Sequence, residues 1–415
     1  MNKEVVVVYG SGSSFDSGYQ VRIEAPCWKD VKPDTAMIPP PCDQQFFSVP
    51  EVWKVAKTYR RLAAFITKYF GVPFDDGPCN LGLEQVWSAV DLSYKHLRLG
   101  TYTWKGETEA FLRSSEALNL NEDEQKDRFD TDRNRERSDN PVGGNEFYLL
   151  GGCGRSLRQL IYRVYGQPVL QDKTGDNFIA LHKLLLEQAC KVEYVTFNYD
   201  SCLERSLKRN DVECSHVSDR DSGGSLPFRE GHPRIYKLHG SLTWTHQEPS
   251  VKPLTIENLE ENPWNKRGDQ CNFLAVKSDY RDASRFTQAA IIPPTWFKQE
   301  INDDSRTTDP LTQLMLYQWR RALAALSRAK AVIIVGYSFP ETDLHAKWLF
   351  TLAQMLQQEN DFRVLYCTKD PQKEQVCQRL EFLHLRKCVP VPEFSNLSQP
   401  STFKGAKGAF SELFN

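Results

Sequence analysis

Four short polar segments of this 415-residue chain carry the side chains best suited to chemistry, and each follows an apolar run. They are Gly10-Ser11-Gly12-Ser13-Ser14, Thr196-Phe197-Asn198-Tyr199-Asp200, Tyr236-Lys237-Leu238-His239-Gly240-Ser241 and Val335-Gly336-Tyr337-Ser338. Glycine-rich turns let a backbone approach a pyrophosphate closely, and hydroxyl and amide groups bind ribose and phosphate oxygens. A neutral imidazole accepts a proton from a hydroxyl group or water near neutral pH. The four segments therefore point to nucleotide binding with a base nearby.

Each segment also has a purely structural interpretation. The first glycine turn lacks the third glycine of the dinucleotide fingerprint, because Ser13 and Phe15 occupy that neighbourhood, so a plain tight turn remains an alternative. Asn198 and Asp200 are good helix-capping residues. An isolated histidine is more often structural, but His239 lies where a strand enters a glycine turn. Their shared placement after strands favours the binding interpretation over the structural one.

The elements that would position these segments follow from apolar periodicity. β-Branched and other apolar runs predict strands at residues 5–9, 192–197, 235–238, Ala331–Val335 and Arg363–Cys367. Helical spacing occurs through residues 52–69, 83–90, 157–164 and 181–185. This alternation predicts an α/β fold, a Rossmann-like doubly wound and mainly parallel sheet with helical insertions. The carboxyl ends of its strands would gather the four segments along one edge.

We predict a single domain over residues 1–415 with two insertions. The first, at about residues 20–155, contains helical, proline-rich and charged segments, and the second lies at about residues 245–300. Prolines interrupt any period in residues 25–50, which predicts a loop there. Residues 121–140 mix both charge signs with almost no apolar residue, which predicts a solvated loop.

Composition narrows the class of protein. The 52 Lys and Arg against 54 Asp and Glu give a net charge of -2, so direct nucleic-acid binding is not predicted. No apolar stretch approaches the roughly 20 residues of a membrane span, and the first run is too short for a signal peptide, so we predict a cytoplasmic protein. The closest of the 11 cysteines, Cys367 and Cys377, are ten residues apart, and without a CxxC pair we predict reduced thiols and no metal site.

Taken in order, the four segments resemble the signature segments of the sirtuins. The matched positions are Gly10, Gly12, Ser14 and Gly18 in the opening Gly-Ala-Gly-x-Ser-x-x-x-Gly, Thr196, Asn198 and Asp200 in Thr-x-Asn-x-Asp, His239 and Gly240 in His-Gly, and Gly336 and Ser338 in the late Gly-x-Ser.

The chain also departs from the sirtuin deacylases. Where they continue with Ile-Pro-Asp-Phe-Arg, it has Tyr19-Gln20-Val21-Arg22-Ile23, and the interval that holds their four zinc cysteines contains only Cys271. This combination, with Ile292-Pro293-Pro294-Thr295-Trp296, is similar to a zinc-less bacterial branch used in antiphage defence. The departures move the expected acceptor from an acyl-lysine to water.

The resemblance implies that NAD⁺ is a substrate, cleaved at the nicotinamide–ribose bond to nicotinamide and ADP-ribose, so that NAD⁺ is depleted in abortive infection. Asn198 would orient water or the ribose, and His239 would act as base. The residues expected to contact NAD⁺ are Gly10, Ser11, Gly12, Ser14, Asp200, Gly336 and Ser338. Two alternatives stay open: a sirtuin-type ADP-ribosyltransferase or deacylase, and a non-catalytic NAD⁺ or nucleotide sensor that scaffolds a partner.

Regulation by assembly is a further expectation, because an unrestrained NADase would kill its host. We predict a homo-oligomer, since the sequence outside the Rossmann core forms no obvious sensor domain. The resemblance also implies a hexameric helicase-type ATPase as a partner subunit.

Overall fold

A computed structural model provides the structure of the chain. It describes residues 3–24, 35–73, 77–98, 144–166, 168–170, 176–188, 190–216, 232–246, 274–276, 289–291, 310–339, 343–357, 363–367, 378–383, 387–391, 394, 397 and 407–408. The charged segment 121–140, Cys271 and residues 292–296 lie outside the described residues.

The chain divides into two compact units. The first, called the sheet unit here, comprises Met1–Gln20, Pro168–Arg281 and Gln288–Asn415. The second, called the helical unit, comprises Val21–Gln167 and Asp282–Thr287.

Seven parallel strands form the central sheet of the sheet unit, in the order β13-β12-β11-β1-β5-β7-β6. They are β1 (Lys3–Tyr9), β5 (Cys190–Thr196), β6 (Ser215–His216), β7 (Arg234–Lys237), β11 (Ala331–Val335), β12 (Arg363–Cys367) and β13 (Lys387–Val391). The sequence predicted β11 and β12 with these bounds, and it predicted β1, β5 and β7 to within two residues. It missed the two-residue β6, and it missed β13, whose Pro390 is typical of a loop. The sheet tolerates this proline because β13 is an edge strand.

Helices cover both faces of this sheet. The sheet unit contains α1 (Ser11–Phe15), α6 (Asn177–Glu187), α7 (Cys202–Arg209), α8 (Pro310–Arg328) and α9 (Leu344–Leu356), and the short strand β4 (Pro168–Leu170). Val6 and Val8 of β1 pack with apolar residues of α8 and α9, whereas Val5 and Val7 pack with those of α6 and α7. Because strand side chains alternate, the four consecutive valines serve both faces. The predicted fold class, a doubly wound and mainly parallel α/β sheet, is confirmed.

The chain that follows β7 forms a small antiparallel sheet. It contains β8 (Gly240–His246), β9 (Leu274–Val276) and β10 (Ala289–Ile291), in the order β10-β8-β9. β8 begins directly after His239, so the histidine lies between a parallel strand and an antiparallel one.

The helical unit is built from α2 (Pro50–Ala56), α3 (Arg60–Phe70), α4 (Leu83–Arg98) and α5 (Gly144–Tyr165). β2 (Tyr19–Glu24) begins at the end of the sheet unit, and its later residues pair antiparallel with β3 (Thr35–Ile38). A 3-10 helix at Asp43–Ser48 buries Phe46 and Phe47. The prediction of a loop over residues 25–50 was therefore wrong for these two elements, because the prolines flank them instead of interrupting them.

Two features are absent from the described residues. None of their helices is both long enough and apolar enough to cross a membrane. No group of three or more His, Cys, Asp and Glu among them is arranged to hold a metal ion.

Candidate functional site

The four segments singled out in the sequence follow adjacent strands. β11, β1, β5 and β7 are consecutive in the sheet, and their carboxyl ends lead to Gly336, Gly10, Asn198 and His239. Backbone hydrogen bonds join the loops in pairs, since Leu238 N donates to Thr196 O at 2.9 Å. The predicted gathering of the segments at one edge of the sheet is confirmed.

The glycines after β1 and β11 lie against each other. Gly10 N donates to Val335 O and Gly12 N to Gly336 O, both at 3.0 Å. A Cβ atom on Gly10 would lie 2.6 Å from Gly336 O, and one on Gly336 would lie 2.1 Å from Ser13 N. Gly336 also has a φ of +59°, which side chains disfavour. Backbone contact between the two loops thus explains these glycines without a ligand.

The turn into α1 uses several of its own polar groups. Ser13 N donates to Gly10 O at 2.9 Å, and Ser13 Oγ donates to the same oxygen at 2.7 Å. α1 has only five residues, and β2 follows it after a short turn. Ser11 stands at the first position of this helix and is half-buried. The long helix of a dinucleotide-binding unit is therefore replaced here by a single turn.

The Asn198 amide has one orientation that satisfies its neighbours. Its Nδ2 lies 3.0 Å from Gly10 O, 2.9 Å from Ser14 Oγ and 3.3 Å from Ser13 Oγ. Ser13 donates its hydroxyl proton to Gly10 O, and Ser14 donates its own to Asp200 Oδ2 at 2.7 Å. All three neighbours consequently offer acceptors, which only the NH₂ side of the amide can satisfy. Among the described residues, Asn198 Oδ1 is buried without a hydrogen-bond partner.

Asp200 determines the orientation of the Asn198 amide through Ser14. Its Oδ2 accepts from Ser14 Oγ and its Oδ1 accepts from Cys202 N at 2.9 Å, at the start of α7. Ser14 Oγ is the donor in this bond, so its proton points to Asp200 and its lone pairs point to Asn198. Both side chains are buried. In this geometry Ser14 and Asp200 act on the amide of Asn198.

His239 is buried among aromatic rings. Its ring centroid lies 5.3 Å from Phe197, 6.0 Å from Tyr199 and 6.5 Å from Trp319. Burial lowers the pKa of His239 to about 4, and nearby Asp343 opposes this shift without overcoming it. At neutral pH the imidazole is therefore uncharged.

The turn after β11 packs against residues 197–201, called the Asn198 loop here. Tyr337 stacks on Phe197 with ring centroids 4.4 Å apart and an interplanar angle of 5°. The Tyr337 hydroxyl donates to Asp343 Oδ2, while Asp343 Oδ1 caps α9 by accepting from Ala346 N at 3.0 Å. Asp343 thereby links the start of α9 to the aromatic wall beside His239.

Ser338 contributes its backbone to the structure of this turn. Its carbonyl oxygen accepts from Arg379 Nη1 at 2.8 Å. The hydroxyl group is carried on a half-buried residue next to Tyr337. The structure thus brings Gly336 into the glycine contact and leaves Ser338 half-buried in the same turn.

Sequence reasoning missed contributions from α8 and from β7. Trp319 Nε1 donates to Leu238 O at 3.0 Å, just before His239, and Gln318 Oε1 accepts from Lys237 N at 3.2 Å. No motif marks the two α8 residues, because only packing places them at the sheet edge. The sequence could have indicated a role for Lys237, because a lysine within the apolar run Ile235 to Leu238 is expected to be buried with a partner.

Residues 192–386 match the SIR2-like domain family. None of the curated proteins compared with the chain matches it.

The similar solved structures include two Sir2 complexes. One is Sir2 with an inhibitor, 2'-O-acetyl-ADP-ribose and a deacetylated peptide, at 12% identity and a TM-score of 0.27, covering 56% of this chain and 71% of that chain. The other is a Sir2 homologue–NAD complex, at 12% identity and a TM-score of 0.30, covering 76% of this chain and 87% of that chain. TM-scores this low do not transfer a site from those proteins to this chain.

Proposed function

We propose that this chain is an NAD⁺ glycohydrolase that releases nicotinamide and ADP-ribose. The observation that carries the proposal is the buried, unpartnered Oδ1 of Asn198, within the described residues, in a loop that also packs on a neutral His239. A buried acceptor without a partner is costly, so it is expected to receive a donor from a ligand. The match to the SIR2-like domain family supports NAD⁺ as that ligand.

In this proposal Asn198 Oδ1 accepts a hydrogen bond from the attacking water or from a ribose hydroxyl. Water forms a bond to the ribose carbon as the carbon–nitrogen bond to nicotinamide breaks, through an oxocarbenium-like transition state. The bonding electrons go to the pyridine ring, which leaves as neutral nicotinamide, and the water gives up a proton that His239 accepts. Gly10, Ser11, Gly12, Gly336 and Ser338 are proposed to contact the rest of the dinucleotide.

Ser14 and Asp200 take a different place in the proposal than the one expected from the sequence. Their mutual hydrogen bond and the contact of Ser14 with Asn198 favour orientation of the amide over direct contact with NAD⁺. A substitution of either residue would then lower turnover by allowing the Asn198 amide to rotate.

The biological role is also part of this proposal. The resemblance to the antiphage branch supports depletion of NAD⁺ in the cytoplasm of an infected cell, by a homo-oligomer or together with a helicase-type ATPase subunit. Transfer of ADP-ribose to a protein and sirtuin-type deacylation use the same site with another nucleophile. They are therefore alternative outcomes of one assay.

The test is incubation of the full chain with NAD⁺ and quantification of nicotinamide, ADP-ribose and protein-bound ADP-ribose. Asn198→Ala and His239→Ala are each expected to lower kcat/KM by about 10²- to 10⁴-fold, the usual contribution of an acid–base or positioning group. Matched controls are Asn210→Ala, which removes a helix-end hydrogen bond to Ser206 O, and His232→Ala, which removes a partner of Glu213. Both controls should retain wild-type turnover.

The products separate the alternatives. Equal amounts of free nicotinamide and free ADP-ribose support hydrolysis, whereas ADP-ribose on protein supports transfer. Nicotinamide release that requires an acylated peptide supports deacylation. NAD⁺ binding with no cleavage by the chain, in any assembly state, would refute the enzyme and support the sensor.

A further inference from the structure

Lys237 is a fully buried lysine whose ammonium group contacts the Asn198 loop. It is the last residue of β7, and its side chain is 1% exposed. The preceding and following residues, Tyr236 and Leu238, belong to the apolar core on the opposite face of the strand. A lysine is rarely buried unless its ammonium group is paired, so its partners reveal its role.

The Lys237 ammonium joins two parts of the Asn198 loop. Nζ donates to the backbone carbonyl of Asp200 and to Glu204 Oε1, the latter at 2.8 Å. Glu204 lies in the first turn of α7, and its side chain is 15% exposed. One charged group thus ties the end of β7 to the middle of the loop and to the helix that follows it.

Stability alone does not account for this pair. Removing two charges from water is costly, and replacing a buried ion pair with apolar side chains of similar volume is often neutral or stabilising. What the pair offers over an apolar contact is direction, because the ammonium holds the Asp200 carbonyl at a defined point. An exposed pair such as Lys191 Nζ–Glu4 Oε1, at 3.1 Å, lacks this constraint because solvent screens it.

The direction is transmitted to Asn198 through Asp200. Lys237 holds the backbone of Asp200, and the Asp200 carboxylate accepts from Ser14, whose oxygen accepts from Asn198 Nδ2. A shift of the Asp200 backbone would therefore weaken the contact that orients the amide.

We propose that Lys237 and Glu204 form a positioning pair, which holds the Asp200 backbone so that Asn198 presents its Oδ1 to the substrate. The consequence for catalysis rests on the proposed NAD⁺ cleavage, whereas the consequence for the loop does not. Lys237 and Glu204 act through Asp200 and touch no reacting atom.

The experiment compares Lys237→Met with the double variant Lys237→Met/Glu204→Met and with the surface control Lys191→Met. Lys237→Met alone removes the ammonium group beside Glu204 and is expected to lower Tm. The double variant removes both charges, so its Tm should lie above that of Lys237→Met, although the Asp200 carbonyl still lacks its donor. Its kcat should nevertheless remain about 100-fold below wild type with KM unchanged, as expected for a misplaced reacting group. Lys191→Met should match the wild type in kcat and KM.

A second measurement is hydrogen–deuterium exchange of peptides that cover the loop. The amide of Cys202 donates to Asp200 Oδ1 and that of Leu242 donates to Tyr199 O, so both report on the loop's anchoring. Both should exchange faster in the double variant than in the wild type. If the double variant regains kcat together with Tm, or exchanges at the wild-type rate, the pair has no positioning role. If the wild type itself does not cleave NAD⁺, the proposed function fails and the exchange rates alone decide the positioning role.

Discussion

Gly336→Ala tests whether contact between the β1 and β11 loops builds the site. Gly336 has a φ of +59°, and the left-handed region costs a residue with a Cβ roughly 1 to 2 kcal/mol. The added Cβ would also lie 2.1 Å from Ser13 N and 2.4 Å from Gly12 C, so backbone must move, and overpacking of this kind costs about 1 to 3 kcal/mol. The sum is a loss of about 2 to 5 kcal/mol in the free energy of unfolding of the sheet unit.

Gly71→Ala is the matched control for the backbone conformation alone. Gly71 ends α3 with a φ of +67°, but a Cβ there would meet nothing within 4 Å. It should therefore cost only the roughly 1 to 2 kcal/mol of the left-handed conformation, in the helical unit, and leave NAD⁺ cleavage unchanged.

Hydrogen–deuterium exchange in increasing urea follows the two units separately, and NAD⁺ turnover is measured on the same samples without denaturant. Gly336→Ala should reduce kcat strongly, because the moved Gly12 and Ser13 backbone carries the partners of Asn198. If Gly336→Ala costs no more than Gly71→Ala and turns over NAD⁺ at the wild-type rate, the glycine contact does not organise the site.

Three further perturbations have expected outcomes. Burial lowers the pKa of His182 and His239 from 6.5 to about 4, so the unfolded chain binds more protons than the folded chain between these values. The free energy of unfolding should therefore fall as pH drops from 6.5 to 4, by roughly 3 kcal/mol for each histidine. Urea titrations of the His182→Gln variant should show a shallower fall than those of the wild type. Trp319→Phe removes the hydrogen bond to Leu238 O and should cost about 1 kcal/mol in urea unfolding, with lower NAD⁺ turnover because Leu238 precedes His239. Burial raises the pKa of Asp176, which caps α6, so the charged form of Asp176 opposes folding as pH rises. In thermal unfolding at pH 8, Asp176→Asn should be at least as stable as the wild type, because Asn also caps helices. Asp176→Ala, which removes the cap, should be about 1 kcal/mol less stable than the wild type.

The fold could be predicted where the local sequence of a strand has a recognisable apolar pattern. The four valines of β1 and the run Ala331–Val335 of β11 are rich in β-branched residues, and β12 is a short run with apolar residues at 364–367, so their pattern indicates buried parallel strands. β13 and β3 were missed for opposite reasons. β13 was missed because Pro390 is typical of a loop. β3 is a short strand that gains its stability from pairing with β2, a partner that local periodicity does not reveal.

The candidate site was predictable as a list of residues but not as an arrangement. Asn198 and His239 stand at strand ends, and the doubly wound topology places such ends together. Their protonation and orientation depend on neighbours from distant parts of the chain. Ser14 is 184 residues from Asn198 in sequence, yet its hydroxyl decides which way the amide points.

The sequence by itself determined the alternation of strands and helices, and with it the edge of the sheet where the polar segments gather. Only the tertiary structure decided the strand order, which sets Gly336 against Gly10, and the burial that keeps His239 neutral. It also decided that Asn198 Oδ1 remains an unpartnered acceptor among the described residues, and that Lys237 is paired with Glu204. The physical reason is that hydrogen-bond direction and desolvation depend on three-dimensional neighbours, whereas periodicity records only which face of each element is buried.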